Sequence, residues 1–296
     1  SFQIRRTAFV NHATGNGGQA GLDGGAGLGA GMTVYGGLGD TIVESCLFSF
    51  NETGTGVALS AGQGRAGGFW YSGGAGDLIV ASTTFEGNIA GQGGALVLET
   101  GQQPTATGDV FVVNAVFWEN VAAHAGGAIQ HRGDGLGSLV VTSSTFEGNA
   151  ANDLGGGIDM MSQAAAGPGD ARVTNSIFWG NTAGFGAQIA VREDQFVIEM
   201  PVYIEDNDIQ GGCVATPNTI CGPNLSVDPA FTDPATGVLT LQPGSPARDV
   251  GEAGWLPADL ADLDGDGDLS EVTPLDRAGN ARVSGAGLDL GAHEAP

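Results

Sequence analysis

The chain contains no lysine. Its nine basic side chains are all arginine, set against 33 Asp and Glu, for a formal net charge of −24 over 296 residues. So acidic a surface repels nucleic acid and anionic membranes, and neither is expected as a partner. Solubility, a saline setting or divalent cations account for it instead. Cysteine is nearly absent as well, with three residues. Cys213 and Cys221 stand in GGCVATPNTICGPN, a loop-like segment that a disulfide can close, which fits an oxidising compartment. Cys46 reads as a small strand residue. No apolar run of about 20 residues occurs, so no membrane-spanning segment is expected. No signal peptide is visible, yet Ser1 already lies inside a repeat, so upstream processing or truncation is expected.

Glycine is abundant, at 54 residues, but it follows no three-residue period, which excludes collagen. An apolar content of 41% is enough for a core if the apolar residues stack in columns, and it argues against disorder. The stacking is written in a repeat. DARVTNSIFWGN, from Asp170 to Asn181, recurs with drift as stretches ending at Asn51, Asn88, Asn120 and Asn149. A Val lies four or five residues ahead of each Phe (Val43, Val80, Val113, Val141, Val173). Three before the Phe come Ser45, Ser82, Asn114, Ser143 and Asn175, and the closing Asn lies three after it. Ile4, Arg6 and Phe9 fit the same frame, as do Ile204, Asp206 and Ile209, making seven copies.

Spacings of 29 to 39 residues between successive frame positions indicate a repeat architecture. Residues two apart share a strand face. The Val, Phe, Ser/Asn and Asn columns are therefore expected inside, with the polar ones forming ladders along the stack. After each Asn a second strand opens on a glycine pair: GGFWY from Gly67, GGALVL from Gly93, GGAIQ from Gly126, GGGIDM from Gly155. Strand, Asn corner, strand, Gly-rich loop and strand make one coil of a parallel solenoid. The stretch from Ile189 to Tyr203 breaks the frame and is read as strand and loop leading into the last coil at Ile209.

SIFWGN, the repeated FxxN and GGA resemble the right-handed parallel β-helix repeat family, and in particular bacterial secreted proteins with a "choice-of-anchor" type of β-helix domain. The resemblance implies an all-β, right-handed, single-stranded parallel β-helix of about seven coils with a loop-rich C-terminal cap. Residues 1–212 carry the coils and 213–296 the cap. An end coil exposes apolar interior and unpaired strand edges, so a solenoid needs such a cap. The family's cap phrases stand at Asp228 to Phe231, Leu241 to Gly251 and Asp289 to Glu294. Asp228 and Asp233, each before a Pro, read as turn-formers.

The sharpest chemical signal is ADLDGDGDLSEVTPLD, from Ala261. Asp262, Asp264 and Asp266 alternate, and Gly267 is sixth in the loop, as in the front half of an EF-hand calcium loop. The backbone carbonyl of Asp268 follows. Position 12 is Thr273 rather than Glu, so Glu271 is expected to complete the Ca2+ site, with Asp276 in reserve. The resemblance points to calcium as well.

Catalytic groups are sparser. Solenoid lyases need a base and solenoid hydrolases a carboxylate cluster. Glu99, Asp134 and Asp159 do not share one column. Tyr71, Gln130, Arg132 and Asp159 are expected on successive coils of one exposed face, able to bind an extended glycan or another surface protein. Trp118 and Trp179 follow the frame's Phe two coils apart, roughly 10 Å at the usual strand spacing, and offer either a sugar-stacking strip or a structural corner. The reading is a non-catalytic secreted or cell-surface protein, calcium-stabilised, acting as adhesin, scaffold or surface-layer component. The alternative is a polysaccharide lyase or glycoside hydrolase.

Overall fold

In the computed structural model, residues 1–14, 27–54, 64–100, 106–133, 137–162, 169–192 and 201–296 are described. Residues 15–26, Asp134 and residues 193–200 lie outside them. One coil shows the construction. The strands Val110–Val113, Val116–Trp118, Val121–Ala125 and Ile129–Gly133 follow one another, separated by three corners. At each corner one residue, Asn114, Glu119 or Gly126, has φ of 53°, 52° or 69°. That left-handed backbone turns the chain sharply, and glycine adopts it at least cost. The glycine excess is partly this, since Gly87, Gly148 and Gly180 occupy the second corner in their coils.

Successive coils pair strand to strand in parallel register. Four parallel sheets result, of eight, eight, five and six strands, and the first two follow chain order coil by coil. This is a parallel β-helix. The first two sheets carry one rung beyond the seven frame copies, formed by Thr219–Cys221 and Asn224–Leu225. The third and fourth sheets stop earlier, at Ala150–Ala151 and Ile189–Arg192. Ile189–Arg192 pairs in register with Ile158–Met161 and Val202–Tyr203 with Ala171–Arg172, so the frame expected to break from Ile189 to Tyr203 holds at both ends of that stretch.

The inward columns follow the repeat, with two corrections. Val80 pairs with Val112 and Val112 with Val141, so Val112, not Val113, occupies the inner column. DVFVVN offers two adjacent Val residues, and only the ladder selects between them. Phe9, Phe48, Phe85, Phe117, Phe146 and Phe178 stack with ring centroids 4.4 to 4.9 Å apart and planes within 8°. Beside them runs a buried amide ladder. Asn51 Nδ2 donates to Asn88 Oδ1 at 3.0 Å, and the same bond links Asn88 to Asn120, Asn120 to Asn149 and Asn149 to Asn181, each at 2.9 Å. Gln188 Oε1 ends the ladder by accepting from Asn181 Nδ2 at 2.7 Å.

The second correction concerns Ser45, Ser82, Asn114, Ser143 and Asn175. They do not ladder inside; they are the left-handed corner residues. The left-handed turn breaks the alternation of faces, so a two-residue spacing across it no longer means one face. The internal polar ladder sits one position later, where Ala115 N donates to Ser144 Oγ, Ser144 N to Ser176 Oγ and Ser176 N to Asn207 Oδ1. The corner side chains reach the C-terminal segment instead. Asn114 Nδ2 donates to Leu275 O, Asn175 brackets the backbone of Glu252, and Trp255 Nε1 donates to Asp206 Oδ2 at 2.7 Å.

The C-terminal segment thus runs along the flank of the solenoid. Further bonds reach Thr145 from Ala292 N, Thr84 from Arg277 and, at the first rung, Ala261 O from Arg5 Nη2. Its contacts span the seventh rung to the first. The end of the solenoid is roofed by a different piece, the loop bearing the Cys213–Cys221 disulfide, whose Cys213 packs on the core.

Asn120→Leu tests the amide ladder, because it removes the acceptor of Asn88 N and Nδ2 and the amide that donates to Phe85 O and Asn149 Oδ1. A loss of about 3 kcal/mol is expected in urea denaturation. A change below about 1 kcal/mol would mean that water replaces the ladder at little cost.

Candidate metal centre and the flanking faces

The acidic loop after Leu260 folds on itself through its own carboxylates. Gly267 N donates to Asp262 Oδ1, Asp266 N to Asp264 Oδ1 and Asp268 N to Asp266 Oδ1, at 3.0, 3.2 and 2.7 Å. Left-handed backbone at Asp262, Gly265 and Gly267 permits so tight a path. Two sets of carboxylate oxygens converge: Asp259, Asp264 and Glu271, and Asp262, Asp264 and Asp266, each set lying within 4.8 Å of one another. An acidic cluster of this kind can hold a metal ion.

Three observations describe the first set. Asp259 is almost fully buried, and its Oδ2 accepts from Leu263 N at 2.7 Å. Glu271 Oε1 is buried with no hydrogen-bond partner. Removal from water raises the pKa of both acids, and the neighbouring carboxylates push in the same direction. A cation between them reverses that cost.

Asp264 is common to both sets, meeting Asp262 and Asp266 in one and Asp259 and Glu271 in the other. The expected donor of Asp268 is its backbone carbonyl; its carboxylate accepts from Ser270 N and Oγ at 2.9 and 2.6 Å, and those bonds hold its pKa below the usual value. Asp276 lies in neither set. It is buried, its Oδ1 accepts from Ala278 N and Asn280 N, and its Oδ2 accepts from Asn280 Nδ2 and Glu294 N. It pins the segment's own fold. Asp259 escapes a template that starts at Asp262; its only sequence signal is the spacing of Asp259, Asp262 and Asp264.

The proposed binding face is not gathered on one exposed surface. Tyr71 is 2% exposed and points inward, edge-on to Phe69. Gln130 and Asp159 are register partners on the outward side of the fourth sheet, yet are 1% and 0% exposed. Asp159 accepts from Gln130 Nε2 at 3.3 Å and from Arg192 through both Nε and Nη2. Arg132 and Arg65 share the buried Glu99. The charges of this face are met within it. His131, next to these residues but turned to the core, has a pKa pushed down to about 4 by burial.

Trp118 and Trp179 alternate with Glu147 in register. Both are half-buried against a cluster that includes Phe231, Leu239, Leu241 and Leu290 of the C-terminal segment. Gly237 lies on the Trp118 ring, where an added Cβ would stand 3.0 Å from Cε3. The C-terminal hairpin covers this strip. Between the two indoles, Glu147 has its pKa pushed up to about 7, first by burial and then by Glu119.

Because that pKa is raised, the folded state favours protonated Glu147. Its contribution to stability is full below the ordinary carboxylate pKa of 4.5 and is lost as pH rises through about 7. Glu147→Gln is therefore expected to raise the melting temperature more at pH 8 than at pH 4.5, in scans across that range. An equal shift at both ends would show that Glu147 ionises freely.

No family model matches the chain, and no curated protein matches it.

Proposed function

We propose that this chain is a non-catalytic, secreted or surface-displayed β-helix, of the kind its choice-of-anchor resemblance implies, in which Ca2+ clasps the C-terminal segment to the flank. The convergence of Asp259, Asp264 and Glu271 at the first-rung end of that segment carries the proposal. Hard oxygen donors without sulfur or imidazole suit calcium. The residues between them, Leu260, Ala261 and Leu263, pack on Ile42, Ile79 and Ala81 of the first sheet. Arg5 joins the two sides, pairing with Glu44 at 2.9 Å and donating to Ala261 O. A cation that closes the acidic loop holds these apolar contacts together. Without it the like charges push the clasp open. In this role the protein is an adhesin, scaffold or surface-layer component, contacting an extended glycan or surface protein weakly and at many points.

Chelation is expected to lower the melting temperature, since an ion bound only by the folded state adds about 2.7 kcal/mol when present at 100 times its Kd. Asp264→Ala/Asp266→Ala should melt low and ignore the chelator. Asp276→Ala should also melt lower but keep its chelator response, because that carboxylate serves the segment's fold rather than the ion. Identical melting of wild type with calcium and with chelator would refute the clasp.

One observation favours a second reading, a polysaccharide-degrading enzyme. A carboxyl group held protonated near neutrality beside a second carboxylate, as Glu147 is beside Glu119, is the arrangement of a glycosidic general acid and its partner. Release of reducing ends from a panel of acidic and neutral glycans, abolished by Glu147→Gln, would establish that reading. No release is expected.

A further inference from the structure

The inward columns of the fourth sheet run Leu96, Ile129, Ile158, Ile189 and Leu98, His131, Met160, Val191. Each inward side chain is covered by the one on the next rung until Ile189 and Val191, which end the sheet. On the seventh rung the chain supplies Val202–Glu205 and Asn207–Ile209, then leaves the repeat through Gly211 and Gly212, both left-handed. It returns at Cys213, tied to Cys221 on the eighth rung. The disulfide loop bridges the missing side as a roof but does not fill it. A cavity of about 200 Å³ remains beneath, walled by Ile189, Val191, Ile204, Ile209, Cys213 and Val214.

We infer that this end cavity is a binding site for a small uncharged apolar molecule, from a single aromatic ring to a bicycle such as indole. Size and lining set the class. An apolar cavity of about 150 Å³ walled by aliphatic and aromatic side chains stays dry and takes up benzene or xenon. This one is larger and partly open, with Phe185 and Val214 exposed at its rim, and none of the described residues that line it is charged. Its two amide side chains are already committed. Gln188 Oε1 accepts from Asn181 Nδ2, and Gln210 Oε1 accepts from Gly180 N. A ligand therefore finds the oxygens of both amides already used and gains chiefly by leaving water, with a negative heat-capacity change. A carboxylate or ammonium would lose its hydration with nothing to replace it. The disulfide sets the roof, so its loss should loosen binding without removing the walls.

The test uses the full chain, with benzene, indole and benzoate as probes, read by thermal melting and titration calorimetry. Benzene and indole are expected to raise the melting temperature in proportion to the logarithm of their concentration. Benzoate should leave it unchanged. Val191→Phe, which fills the cavity from one wall, should abolish the shift; Ile209→Phe fills it from another and serves if the first variant fails to fold. Cys213→Ser/Cys221→Ser should bind at least tenfold more weakly. Wild-type protein that melts at one temperature with and without saturating benzene and indole would overturn the inference. So would equal shifts in wild type and a folded cavity-filling variant, since the probes would then be binding elsewhere.

Discussion

The register of coil on coil is the constraint from which the rest of this structure follows. Each rung must place its inward residues over those of the rung below, one strand spacing away. At that spacing a Phe is best covered by another Phe lying flat on it, and an Asn by another Asn that can accept its amide hydrogens. The six-ring stack and the Asn51-to-Asn181 ladder are two consequences of one geometry. The ladder also answers an otherwise costly problem, since an Asn buried alone would leave polar groups unmet. Repetition makes each copy's donor the next copy's partner.

Outward faces obey no such rule, and two of them are unusually apolar. Ile42, Ile79 and Ala81 on the first sheet, and Val116 and Ile177 on the second, are buried by the returning C-terminal segment. That segment is moored at both ends of its path. Near the seventh rung, Arg172 lies between the rings of Tyr203 and Trp255, at 4.6 and 4.7 Å from their centroids. At the first rung stands the acidic loop. The phrases from Leu241 to Gly251 and from Asp289 to Glu294 have concrete work here: Asp289 Oδ1 accepts from Asp249 N and its Oδ2 from Ala295 N, while Asp249 Oδ1 accepts from Ala286 N and Gly287 N. They hold the segment's loops in shape for the flank.

Much of the solenoid was legible from spacing alone, because stacking forces identity on inward positions. What was not legible depended on backbone sign or on distant chain. Val112 and Val113 differ only in parity, which the ladder decides. The Ser/Asn column looked internal because its residues are small and polar, traits that a left-handed corner also selects. Trp118 and Trp179 resembled a sugar platform because nothing local reveals that Gly237, some 60 to 120 residues downstream, lies over the strip. Asp262, Asp264 and Asp266 declared themselves by alternation. Asp259 joins them only through the turn that brings Leu263 N onto its carboxylate.

The absence of lysine also acquires a physical sense. Seven arginines bond across separate elements: Arg5 to Glu44 and Ala261, Arg65 and Arg132 to Glu99, Arg172 to Glu205, Arg192 to Asp159, Arg248 to Pro296, and Arg277 to Thr84. An eighth, Arg282, is buried within the C-terminal segment, donating to Asp289 O beside Glu294. All but Arg248 and Arg282, which bond within the C-terminal segment, sit at seams between rungs or between solenoid and flank, where one cation must satisfy acceptors held at fixed separation. A planar guanidinium presents several donors in a rigid fork and loses less on leaving water than an ammonium does. Where the positive charge is spent on fastening rather than on solubility, lysine has no equivalent use. The excess acid is left to the surface and to the loop after Leu260.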